Sequence, residues 1–136
     1  MHMRNNLWLK KLAKKVWRKH FSDVAPANDL RVKFGRFAKW QLGAIRQSQK
    51  GKNNPSLITI NGYFKNPVVP QYVIEAILAH EFIHYISGFS SSKPKLCKYP
   101  HRGGIIKNEM KRRGLSEIEK KQKEWIKKKW QIIIKL

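Results

Sequence analysis

Apolar residues recur along this chain with two distinct periods. Between Leu7 and Phe21, Trp8, Leu12 and Val16 fall four apart, Leu9, Ala13, Trp17 and Phe21 follow one position behind, and Lys and Arg occupy most of the rest. That spacing predicts an amphipathic helix with a basic outer face. Its stripe is expected to dock on a protein core, the alternative for so cationic a helix being the surface of an anionic bilayer. "SDVAPAND" reads as a loop by its Ser, Asp, Pro and Asn content. The period then becomes two. Leu30, Val32 and Phe34 alternate with Arg31 and Lys33, and Trp40, Leu42 and Ala44 repeat the pattern before the turn "KGKNNP". Leu57, Ile58, Thr59 and Ile60 supply a third strand. Three short strands in succession predict a small antiparallel sheet.

From Gln71 to about Ser87 the helical period returns, with Val73, Ile74, Ala76, Ile77, Leu78, Ala79, Phe82, Ile83 and Ile86 spread over nearly every side. A helix apolar all round is a buried one, and Gly88 is placed to end it. "FSSSKPKLCKYP" has the composition of an exposed loop, and "GGIIKNEMKRRG" reads as a short helix ended by Gly114. Ser116 and Glu119 have capping-box spacing ahead of a last basic helix, in which Ile118, Trp125, Ile126 and Trp130 are available for packing. The predicted fold is α+β, one domain over residues 1–136, with a three-stranded antiparallel sheet packed on helices.

Composition changes the picture in one direction. Thirty Lys and Arg against eight Asp and Glu give a net charge of +22, and from Leu30 to Asn108 the only acids are Glu75 and Glu81. Such a field attracts polyanions, nucleic acid first, through phosphate neutralisation; the plainer reading is a solvated lysine-rich surface. Cys97 is the only cysteine, which excludes an internal disulfide and a multi-cysteine zinc ribbon and favours a reducing cytoplasm. No apolar run is long enough to span a bilayer.

Against this charge, one acid stands in the most hydrophobic segment. His80-Glu81-Phe82-Ile83-His84 is an H-E-x-x-H pattern. On a helix, residues four apart share a face, so two imidazoles can bind one tetrahedral metal, usually zinc, with the glutamate beside them as general base. In a buried helix, three such polar groups are costly unless paired or ligated. A catalytic zinc has three protein ligands, and the third is expected downstream: His101 in the tight turn "KYPHRGGI" is favoured, with Glu109 an alternative or an orienting partner of a ligand histidine. Cys97 is better read as a small buried residue. Tyr99 and Arg102, flanking His101, are candidates for stabilising a transition state. Trp8, Trp17, Trp125 and Trp130 lie among lysines, where they either pack in the core or stack on bases.

With these residues on the page, the chain resembles the SprT-like family of zinc metalloproteases, which includes Spartan. The likeness covers about residues 17–114: a basic segment, "ITIN" before the helix, a Pro-led helix bearing His80, Glu81 and His84, and a loop returning a histidine ahead of "EMKRRG". Residues 1–21 and 115–136 are then basic helical extensions. The resemblance implies a zincin-like active-site helix, His80, His84 and His101 as zinc ligands and Glu81 as base. Arg102 stands where the family has glycine, and the family's frequent C-terminal zinc ribbon is missing. Relatives act on proteins attached to or crosslinked with DNA. The expectation is therefore a cytoplasmic, nucleoid-associated if bacterial, monomeric zinc endopeptidase held on single-stranded or distorted DNA by its charge. Its rivals are a nucleic-acid-binding protein with a structural or vestigial zinc site and a zinc hydrolase of peptides unconnected with DNA.

Overall fold

The computed structural model describes residues 2–26, 28–47, 54–87 and 104–135. The first helix, α1 (Asn6–His20), starts where the Asn5 side chain accepts the Trp8 N–H at 2.9 Å. Leu9, Leu12, Ala13 and Val16 are buried, so the apolar stripe is spent on the protein core. Among the described residues no helix is long and apolar enough to cross a membrane.

Three strands follow, β1 (Leu30–Phe34), β2 (Gly43–Gln47) and β3 (Ser56–Ile60), and β2 starts after Trp40 and Leu42, which alternation places in the strand. Their arrangement differs from the expected antiparallel sheet. The order is β1-β3-β2, with β1 parallel to β3 and β2 antiparallel to it, so the sheet is mixed. Ile58 faces Val32 on one side and Ile45 on the other. β3 has the most completely covered set of side chains, with Ser56, Ile58 and Ile60 fully buried, and it takes the centre. β1 is carried to its far edge under α1, where Phe34 N–H donates to Asn6 Oδ1 at 2.9 Å. Alternation fixes which residues face inward but carries no information about the neighbouring strand.

The central helix α2 (Gln71–Ile86) packs against the sheet, α1, and the two helices that follow it, α3 (Ile105–Arg112) and α4 (Ser116–Ile133). Contact on every side is why its sequence lacks a polar face. Tyr85 fixes its end: the hydroxyl donates to Asn28 Oδ1 at 2.6 Å, and Asn28 Nδ2 donates to Ser56 Oγ at 2.9 Å. One core joins residues of α1, the sheet and α2 to Ile106, Met110, Leu115, Trp130 and Ile133. The terminal helices are thus walls of the domain rather than appendages to it.

The start of α4 also departs from expectation. Ser116 is its first residue, the cap position belongs to Leu115, and no side chain caps the helix. Leu115 is 2% exposed, and its carbonyl accepts the Glu119 N–H at 3.0 Å. Burying leucine immediately after the positive-φ turn at Gly114 sets the helix entry, and the capping-box pair is passed over.

Candidate metal centre and its cleft

Ile77, His80, Glu81 and His84 follow the i, i+3, i+4, i+7 rule and form one stripe on α2. His80 and His84 are half-buried, while Glu81 is 7% exposed. The Nε2 atoms of His80 and His84 lie 3.1 Å apart. For metal–nitrogen bonds of about 2.0–2.1 Å, that separation subtends roughly 100° at a shared ion, close to tetrahedral. The two rings share a hydrogen bond across this gap, and the separation is compatible with a zinc-sized cation taking the place of its proton. Burial pushes the Glu81 carboxyl up to about 7, so it can take up or release a proton near neutrality.

The stripe opens on a cleft of about 500 Å³ lined by Ile77, His80 and Glu81 from α2, Trp40 to Gly43 before and at the start of β2, and Gln122, Lys123, Ile126 and Lys127 from α4. Gly43 brings the sheet close to the helix. A Cβ there would sit 2.9 Å from Ile77 Cγ2 and 3.4 Å from the Thr59 carbonyl. The α4 wall is held by Trp130, whose Nε1 donates to the Lys39 carbonyl at 2.8 Å and whose ring meets Tyr63 and Phe64. Trp40 stands at the cleft with 90% of its surface exposed.

The remaining candidates divide. Tyr99, His101, Arg102 and Cys97 lie outside the described residues, as do Gly88 and most of the "KGKNNP" turn. Glu109 is engaged elsewhere: its Oε1 accepts from Arg112 at 3.0 Å and its Oε2 from Arg112 and Arg113, each at 3.0 Å. These arginines hold its carboxyl below the usual carboxylate range, Arg112 foremost, against the opposing effect of burial. Among the described residues no group of three His, Cys, Asp or Glu is placed to hold a metal. His80 and His84 are the only two of the expected ligands that the described residues bring together. The four tryptophans noted from the sequence all serve packing, Trp130 within the core and Trp8, Trp17 and Trp125 against it.

Sequence reasoning did not find the α4 wall or Trp40. Residues 122, 123, 126 and 127 share a helix face by spacing, but nothing in that spacing says which helix they oppose. Compared with family models, curated proteins and solved structures, the chain matches none.

Proposed function

We propose that the chain is a zinc-dependent endopeptidase that works on proteins held on DNA. The observation that carries this reading is the pair of imidazole nitrogens 3.1 Å apart with a buried carboxyl between them in sequence, of which His80 and Glu81 line one cleft. The resemblance to SprT-like proteases agrees with it and supplies His101 as the third ligand. Zinc bound there would contribute Lewis acidity toward a peptide carbonyl and toward water.

The chain's own residues do the rest. His80 and His84 would hold the ion through Nε2. Glu81 accepts a proton from the attacking water and returns it to the leaving amine, a cycle suited to a carboxyl that titrates near neutrality. β2 pairs only with β3 among the described residues and reaches the cleft at its first residue, Gly43, so an extended peptide has the start of a strand edge to lie along. Lys123 and Lys127 make the α4 wall positive. The net charge of +22 supports DNA as the scaffold that brings substrate in.

The test is cleavage of a histone by the zinc-loaded chain, with and without single-stranded DNA, beside Glu81→Gln. DNA-stimulated cleavage that disappears in Glu81→Gln with zinc retained is the expected result. Stoichiometric zinc and salt-sensitive DNA binding without cleavage by either protein would make the metal site structural. Cleavage indifferent to DNA would make the chain a general peptide hydrolase.

A further inference from the structure

A second concavity, of about 1150 Å³, lies between α1 and the sheet and shares no lining residue with the metal cleft. Its rims are basic. Lys10, Lys14 and Arg18 stand on α1 at successive i+4 positions, all exposed, and Arg31, Lys33 and Arg46 face them from β1 and β2. Asp29 is the one acid among the lining residues and pairs with Arg31 at 2.7 Å, so Lys33 and Arg46 carry the net positive charge of the sheet-side rim. Among its apolar lining residues Trp17 and Leu57 are half-buried and keep surface in the groove, while Ala13, Val32 and Phe82 are buried. The Trp17 ring is braced by Phe82 at 5.0 Å and Phe21 at 5.3 Å.

We infer that this groove is the track for a single strand of nucleic acid. The i, i+4, i+8 cations rise about 6 Å per step along the helix, a ladder matched to successive phosphates of an extended strand. Opposite rims of positive charge with apolar surface at Trp17 and Leu57 fit a chain that is anionic along its backbone and flat and apolar on its bases. An anionic membrane offers phosphates in a plane and would engage the crest of α1, leaving Lys33 and Arg46 unused. The inference rests on the proposed nucleic-acid partner but is independent of the peptidase chemistry. The groove and the metal cleft lie on different parts of the surface, so a bound strand leaves the cleft open to protein.

The experiment measures binding of a fluorescent oligo-dT to the full chain carrying Glu81→Gln, over a series of salt concentrations. Three versions are compared: no further change, Lys10→Gln/Lys14→Gln/Arg18→Gln, and a charge-matched control on exposed α4 positions, Lys120→Gln/Lys121→Gln/Lys128→Gln. A fourth, Lys33→Gln/Arg46→Gln, tests the sheet-side rim. Each lost phosphate contact lowers the salt slope by about 0.7 for a single strand, so the α1 triple should lower it by about two. It should also bind more than tenfold more weakly in low salt, with the sheet-side pair weakened in the same sense and the α4 control nearly unchanged. Equal losses in the α1 and α4 triples would overturn the inference in favour of undirected charge. So would loss of phosphatidylserine-vesicle binding, but not of oligo-dT binding, in the α1 triple. Duplex binding of equal strength and equal dependence on the α1 cations would overturn the single-strand assignment. Absence of cleavage by the wild-type chain would count against the peptidase reading alone, since the binding assay uses no catalysis.

Discussion

Arg113 ends α3 and ties it to the end of α1, and removing its guanidinium should loosen α3. Its side chain is 4% exposed. Nη1 donates to the His20 carbonyl at 2.8 Å and to Asp23 Oδ1 at 2.7 Å, Nε donates to Glu109 at 3.0 Å, and the guanidinium lies 4.6 Å from the centre of the Phe21 ring. Arg113→Met keeps most of the aliphatic stem and deletes the charge. An unpaired carbonyl left by His20 costs about 1–2 kcal/mol, and the cation–π contact contributes about 1 kcal/mol. Breaking a buried pair costs about 3–5 kcal/mol in full, but Glu109 is 25% exposed and retains Arg112, and Asp23 rehydrates freely. The expected loss is therefore about 3 kcal/mol, roughly a 10 °C fall in Tm for a domain of this size.

The same variant has a pH signature. Asp23 and Glu109 carboxyls are held below their ordinary values, Asp23 first by the Arg113 hydrogen bond and Glu109 first by Arg112 and more weakly by Arg113. Depressed carboxyl pKa values add stability that is present above the unfolded value, about 4, and is lost as pH falls through the folded one. The gap between wild type and Arg113→Met, measured by urea unfolding, should therefore be widest at neutral pH and narrow below about pH 4. A loss under about 1 kcal/mol, or a gap unchanged between pH 7 and pH 3, would refute the reasoning.

Glu81 should give the opposite slope in metal-free protein: a carboxyl raised from 4.5 to about 7 costs stability as pH rises through that interval. Glu81→Gln in chelator should remove the slope and stabilise the fold at pH 8 by up to about 3 kcal/mol, read by urea unfolding; an unchanged slope would mean the burial is relieved in solution. Gly43→Ala places a Cβ 2.9 Å from Ile77 Cγ2, so a loss of about 1–2 kcal/mol is expected, with slower peptide cleavage at unchanged zinc content. Trp130→Phe keeps the ring between Tyr63 and Phe64 but loses the 2.8 Å bond to the Lys39 carbonyl. It should cost about 1 kcal/mol by thermal melting and lower kcat/KM without releasing zinc.

The elements themselves were legible because their periods are local. The stripe of Leu9, Leu12, Ala13 and Val16 places α1 within a residue of its observed ends, and the apolar run places α2 from Gln71 to its end at Ile86. The closeness of His80 and His84 was legible for the same reason, since i, i+4 spacing brings two imidazoles together on any helix. Glu109 belongs with them. By type and position it was a candidate ligand, yet Arg112 and Arg113 at i+3 and i+4 engage it, a pairing that the same helical spacing already made legible.

What the sequence determined by itself was the inventory: three strands, an all-apolar helix bearing His80, Glu81 and His84, and a cationic surface. What the tertiary structure decided was adjacency. It put β3 between β1 and β2, set α4 opposite the α2 stripe to make a cleft, and gathered the cations of α1, β1 and β2 around one groove. The physical reason is one of range. Periodicity is imposed by backbone geometry over a few residues, whereas neighbours distant in the chain are chosen by which faces can be buried together, a competition settled only when the whole core closes.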